Sequence, residues 1–261
     1  MMRGLWTAAS GMTAQQTNLD VIANNLANTN TTGFKFSRPD FQDLLYQTMS
    51  AAGSKTGDGT MVPAGIQIGL GVRTASIQKV FTSGDLKQTG NPLDIAIEGD
   101  GFLTVDTPNG PAYTRDGSLK LDVNRRLVNS DGYALSPDIT IPANTTSVTI
   151  GPDGTVTAQV AGQPAPVSAG QIQLTHFPNP AGLSNIGHNL YTVTSASGAA
   201  VTGNPGTNGL GSISQNALEM SNVNVVEQMV SMIVAQRSYE TNSKAIQAAD
   251  QMLQMANQLR Q

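Results

Sequence analysis

The chain of 261 residues carries 18 acidic and 14 basic side chains, a formal net charge of -4 and no cysteine; 12% of it is charged, 5% aromatic, and 27 residues are glycine. With no lysine and arginine cluster beyond Arg125-Arg126 there is no electrostatic footprint for nucleic acid. The missing cysteines remove disulfides, thiolate metal sites and cysteine nucleophiles together.

In chain order, Leu5, Met12, Leu19 and Leu26 recur every seven residues, with Ala8, Gln15 and Ile22 three positions further on, so the first element is expected to be a helix with a thin heptad seam. Gly33 is expected to stop it, with Asn28 and Asn30 available for capping geometry. The asparagines at 24, 25 and 28 have two readings, as ordinary helix-end polar residues or as buried amides that set helix register. The segments 47–65 and 195–215 are rich in small residues and poor in apolar ones, and each is expected to be a loop or linker.

Between the loops the period changes to two. Ile66, Ile68, Leu70 and Val72 alternate, as do Leu119, Leu121 and Val123, and Val148 with Ile150 leads through "GPDG" to Val156 and Val160. Asp-Gly pairs at 116–117, 131–132 and 153–154 are placed for hairpin turns. At the carboxyl end the seven-residue interval returns at Val225, Met232, Tyr239, Ile246 and Leu253, accompanied by Ala235, Ala249 and Ala256, behind an Asn224 and Glu227 capping arrangement. The fold class is therefore α+β: amino- and carboxyl-terminal helices around a mainly antiparallel β domain. No membrane span is expected, since no apolar run approaches roughly eighteen residues, and no cleaved signal is evident at the amino terminus.

Chemistry-bearing constellations are absent from the sequence. His176, in "QIQLTHF", shares an alternating face with Ile172 and Leu174, and His188, in "GHNLY", reads as a turn residue; two isolated histidines make neither a zinc site nor a triad. "EGDGF", "TGDGT" and "GPDGT" lack the alternating ligands of a calcium loop, and "GLG" at 69–71 and 209–211 lacks the rest of a dinucleotide fingerprint. No catalytic residue, metal ligand or cofactor is expected. On patterning alone the two helices either pair on the body of a monomer or drive self-assembly. A β-domain module that holds glycans, with helical dimerisation ends, also stays open.

The segments "LWTAASGMTAQQTNLDVIANNLANTNTTGFK", "FQDLLYQT", "IQIGLGV", "DGFLTV", "AYTRDGSLKLD", "GYAL" and "SNVNVVEQMVSMIVAQRSYETNSKAIQAADQML" resemble the flagellar basal-body rod and hook family of axial proteins. The resemblance spans essentially the whole chain and departs at "DVNRRLVNSDGY", where the family's glycine-containing turn is replaced by Asn124-Arg125-Arg126. It implies a terminal inner-core domain over 1–35 and 221–261 whose helices pair as a coiled coil around a channel. It further implies a connecting, rod-type segment over 36–72, a β domain over 73–194 and a Gly-rich return linker over 195–220.

Carried onto these residues, the resemblance makes Leu5, Ala8, Met12, Leu19, Ile22, Leu26, Val225, Met232, Tyr239, Ile246 and Leu253 the inner-core packing positions. Asn24, Asn25, Asn28 and Gly33 become hinge and register positions. Phe41, Leu44, Leu45 and Tyr46 become apolar anchors of a rod-stiffening segment, which favours the distal over the proximal part of the rod. The polar channel surface is expected at Gln15, Gln16, Asn18, Gln247, Gln251 and Gln254. The implied partners are further copies in a helical tube, rod proteins below, hook-side proteins above, the surrounding envelope rings and the flagellar type III export apparatus. The implied location is a rod crossing the periplasm, reached without a cleaved signal.

Overall fold

A computed structural model describes residues 2–53 and 63–258. The centre of the expected 47–65 loop and the Ala256 side chain lie outside the described residues. The chain divides into two compact units, one joining Met1–Leu26, Ser37–Gln78 and Val225–Gln261, the other joining Ala27–Phe36 and Lys79–Asn224.

The first unit holds helices α1 (Met2–Ala27) and α2 (Val225–Gln258) and strands β1 (Ser37–Asp43), β2 (Tyr46–Ser50), β3 (Ile66–Gly69) and β4 (Val72–Lys79), of which Lys79 itself belongs to the second unit. α2 begins directly after Asn224, where the capping pattern places its start. Polar side chains within the helices are satisfied locally: the Thr7, Thr13, Thr17 and Thr241 hydroxyls each donate to the carbonyl four residues back. Strand β1 pairs with β4, and β2 pairs antiparallel with β3. The expected loop at 47–65 is thus a strand at its start, because Tyr46 to Ser50 find backbone partners in Gly69 to Ile66 across the gap. Among the described residues no helix is long and apolar enough to cross a membrane.

The helix stop differs from expectation. α1 ends at Ala27, and the turn after it is closed by the Thr31 N–H on the Asn28 carbonyl (3.2 Å) and the Thr31 hydroxyl on Asn28 Oδ1 (3.1 Å). Gly33 lies beyond that turn at φ +66°, and a Cβ there would stand 2.6 Å from the Asp116 nitrogen and 2.7 Å from the Arg115 carbonyl carbon. Its role is close backbone approach inside the second unit, not helix termination.

The second unit is built on an antiparallel sheet in the order Ser184–Gly187, Leu190–Thr192, Gly110–Thr114, Phe102–Thr107, Ala134–Ser136, Leu127–Val128 and Lys120–Leu121, with Leu174–His176 also joining Phe102–Thr107. A three-stranded sheet, Thr145–Ile150, Thr155–Val160 and Val167–Gln171, lines the same core. Inward residues of both sheets, among them Leu103, Val105, Leu127, Ile150, Val156 and Leu174, are fully or almost fully buried, as is Ile172 in the connection between Val167–Gln171 and Leu174–His176. Beside them Phe102, Tyr113, Phe177 and Tyr191 pack edge to face, Tyr113 and Phe177 with ring centres 4.8 Å apart.

Two of the three Asp-Gly pairs make hairpin turns, with Gly132 at φ +88° and Gly154 at φ +82°. Gly117 does not: it lets the chain pass against the Ile95 carbonyl, which an added Cβ would strike. Arg125 takes the left-handed conformation (φ +62°) in the turn where a glycine was expected from the family pattern, and its guanidinium donates to the Pro142 carbonyl at 2.9 Å. His176 ends a paired strand and His188 occupies the turn before Leu190–Thr192, as read from the sequence.

The 195–220 stretch is no linker. It contributes Val201–Gly203, Ser212–Gln215 paired with Ile95–Glu98, and Ala217–Glu219 paired with Leu86–Gln88, and it buries Leu210, Ile213 and Ala217. Its small residues serve close packing, since a Cβ on Gly211 would meet the Glu98 carbonyl oxygen at 2.4 Å. Residues 27–35 and 221–224, expected with the helices, and Phe36, expected with the connecting segment, likewise belong to the β unit, where Phe34, Lys35, Ser221 and Val223 are buried.

Candidate functional site

With no catalytic constellation in the sequence, the functional surface is sought in the helical unit and in the segments that lead into it. α1 and α2 run antiparallel. Gly11 faces Asn242, where an added Cβ would lie 2.9 Å from the amide nitrogen, and Asn25 meets Gln228. Gly11 and Asn25 are as far apart on α1 as Asn242 and Gln228 are on α2, so both contacts belong to one unslipped register. The seam mixes small, amide and branched apolar side chains: Ala14, Val21, Ile22 and Asn25 are buried on α1, and Gln228, Ala235 and Ala249 on α2.

The expected packing positions fall around this seam unevenly. Ile22 is buried, while Leu5, Ala8, Met12, Leu19, Leu26, Met232, Ile246 and Leu253 are half-buried. Val225 and Tyr239 are exposed, because the row Gln228, Ala235, Asn242, Ala249 faces inward ahead of theirs. Heptad spacing alone does not say which of two adjacent rows points to the partner helix.

Asn25 is wholly buried. Its Oδ1 accepts from the Ser37 N–H (2.9 Å), and its Nδ2 donates to the Ser37 carbonyl (2.8 Å) and to Gln228 Oε1 (3.3 Å). One amide therefore ties α1 to α2 and to the first residue of β1. Asn24 is exposed and Asn28 half-buried, so the run of asparagines divides into different environments. Asn25→Ala should cost the helical unit about 1–3 kcal/mol through the buried groups it deserts. Hydrogen exchange checks this: the Ser37 amide should lose protection, and unchanged protection would refute the tie.

The β unit contains a charge cluster for which the sequence offers no spacing signal. Lys35 and Glu219 are buried and joined at 2.5 Å, and Lys35 Nζ also donates to the Thr82 carbonyl at 2.7 Å. Arg115, equally buried, lies 3.5 Å from the other Glu219 oxygen and stacks over Phe102 at 5.3 Å. The Gly84 N–H donates to the same carboxylate, and the Gly33 N–H donates to the Glu219 carbonyl. Burial pushes the Lys35 ammonium below the ordinary lysine range, against the pull of the Glu219 carboxylate; Arg115 is shifted the same way for the same reason. Lys35 follows the end of α1 at Ala27 by eight residues and Glu219 precedes the start of α2 at Val225 by six, so the cluster holds both stretches of chain that lead to the helices.

Large apolar side chains remain uncovered on the helical unit. Val226, Met229, Val230, Ile233 and Val234 follow the three-and-four spacing of one helix flank and are all more than half exposed. On the β2–β3 ribbon Tyr46, Met49 and Ile66 are more than half exposed and Ile68 nearly so, and Leu45 just before it is 83% exposed. Of the expected rod-type anchors, Phe41, Leu45 and Tyr46 are exposed and Leu44 is half-buried.

Known proteins resemble this sequence along its whole length. Residues 5–35 match the family described as flagella basal body rod protein, 96–158 the flagellar hook protein FlgE/F/G D1 domain, and 214–259 the flagellar basal body rod FlgEFG protein C-terminal region. The flagellar basal-body rod protein FlgG of Borreliella burgdorferi is 52% identical over 100% of this chain and 99% of its own. That of Caulobacter vibrioides is 49% identical over 99% and 100%, and that of Bacillus subtilis 43% identical over 97% of each. The three matched regions cover α1 with its following turn, the heart of the β unit, and the strand and helix that close the chain. With full-length relatives at this identity, the chain belongs to the flagellar basal-body rod and hook protein family.

Proposed function

We propose that the chain is a structural, non-enzymatic subunit of the flagellar distal rod, assembling into a rigid hollow helical shaft that transmits motor torque to the hook and forms part of the export channel. The uncovered apolar surface of the helical unit carries this reading. An apolar stripe along α2 and an apolar ribbon at β2–β3 are costly in water and favour contact with further copies, which would cover roughly 1.5–3 kcal/mol of side-chain burial per large residue. Contacts between unlike surfaces propagate as a helical polymer when the rotation from copy to copy does not close into a ring.

In this reading the half-buried positions Leu5, Met12, Leu19, Leu26, Met232, Ile246 and Leu253 complete their burial between copies, and Asn25 sets helix register. The exposed Gln16, Gln247, Gln251 and Gln254, with the half-buried Gln15 and Asn18, supply the polar channel wall. Phe41, Leu44, Leu45 and Tyr46 hold neighbouring subunits and stiffen the rod, which favours the distal over the proximal position. Rod proteins below, hook-side proteins above, the envelope rings and the type III export apparatus are the partners, in a rod that crosses the periplasm.

Sedimentation velocity, circular dichroism and electron microscopy on the full chain test the reading together. Concentrated samples should form rods, and the helical signal should rise as they form. A monomer with both helices complete and no polymer under any condition would overturn it.

A further inference from the structure

We infer that Trp6 of one copy seats in a groove on α2 of a neighbouring copy, lined by Val234, Arg237, Ser238, Thr241 and Asn242, with its indole against the Arg237 guanidinium. The inference rests on the rod reading and names one of its contacts.

Trp6 is the single tryptophan of the chain and is 72% exposed on α1. An indole can bury on the order of 150–250 Å², more than the other side chains of the helix, so leaving it in water forfeits the largest apolar contribution α1 can make. The groove is a shallow depression of about 390 Å3, open to solvent along successive turns of α2. Val234 at its rim is exposed and continues the uncovered stripe of Val230 and Ile233. Among the described residues the Arg237 guanidinium has neither an ion pair nor a hydrogen bond. A cation without an anion beside an apolar rim is the environment that an aromatic face complements, and tryptophan gives the strongest such attraction.

The chain's own Trp6 does not fill this groove. The register set by Gly11 with Asn242 and Asn25 with Gln228 places Trp6 level with the region of Gln247, nine residues or about 13 Å of helix rise from Ser238. The residue of α1 that does face Asn242 is Gly11, which has no side chain to offer. The groove thus stays open in its own copy, and its occupant comes from another. A projecting indole on one helix and a receptive groove on the other form two unlike surfaces, a head-to-tail contact of the kind that extends a filament when the rotation between copies does not close a ring.

Because Trp6 is the single indole, intrinsic fluorescence reads its surroundings alone. On rod formation its emission should move to shorter wavelength and its quenching by acrylamide should fall several-fold. Rods co-assembled from unlabelled chain and a Trp6→Phe, Glu240→Cys variant carrying a nitroxide place a short-range quencher beside the groove solely on copies that lack the indole. The absence of native cysteine keeps the labelling specific. Strong quenching of Trp6 in the mixed rods supports the contact, as does a tenfold or greater rise in the concentration at which Trp6→Ala chains assemble. Rods in which Trp6 stays accessible to acrylamide, or is shielded without being quenched by the label, overturn the inference and leave the rod reading standing. Failure of the unmodified chain to form rods overturns both.

Discussion

Glu219→Ala should destabilise the β unit by about 3–5 kcal/mol, the cost of stranding buried charge without its partner. Among the described residues Glu219 is the sole anion in contact with two buried cations, Lys35 at 2.5 Å and Arg115 at 3.5 Å, and its carboxylate also accepts the Gly84 N–H. Removing it leaves an ammonium and a guanidinium close together away from water. Lys35→Met should cost less, because the remaining Arg115–Glu219 pair is neutral and the methionine fills much of the lysine stem's volume. Urea unfolding followed by near-ultraviolet circular dichroism, to which Tyr113 and Tyr191 of the packed aromatic cluster contribute, separates the two variants. A loss below about 1 kcal/mol for Glu219→Ala would mean that the cluster is not the anchor of the stretches that lead into the helices.

Ile233→Asp should leave the isolated chain as stable as before, within about 0.5 kcal/mol, because the side chain is 52% exposed and outside the seam. Assembly should respond differently. If neighbouring copies cover the α2 stripe, each new interface must dry a carboxylate that has no partner, at a cost of at least about 3 kcal/mol, or roughly a 100-fold rise in the concentration needed for rods. Ile22→Asp is the contrasting variant: Ile22 is buried within the chain itself, so that change should disrupt the helical unit before any assembly. Thermal unfolding and sedimentation of the two variants read stability and assembly separately. Normal rod formation by Ile233→Asp would remove the α2 stripe from the subunit interface.

What could be read from the sequence was what depends on near neighbours. Helix period, the Asn224 start of α2, the hairpin turns at Gly132 and Gly154 and the alternation of Val148 and Ile150 before Val156 are local signals, and these lie where their pattern put them, whereas the end of α1 does not. The long terminal motifs also carried the family resemblance. Small-residue composition misled at 195–220, since glycine is equally at home in a loop and where two backbones touch, as Gly211 does against Glu98. The same holds for Gly33, whose left-handed conformation serves an approach to Arg115 and Asp116 far away in the chain.

By itself, then, the sequence determined the two terminal helices, the period-two strands of the β domain and the α+β class, because these follow from residue spacing within a few turns or strands. The tertiary structure alone decided which heptad row of α2 faces α1, that Asn25 among several asparagines is the buried one, and which apolar residues stay uncovered. It alone also joined Lys35, Arg115 and Glu219. Those outcomes are set largely by contacts between residues 104 to 203 positions apart, for which no local periodicity exists and whose energies arise only once burial has removed the water between them.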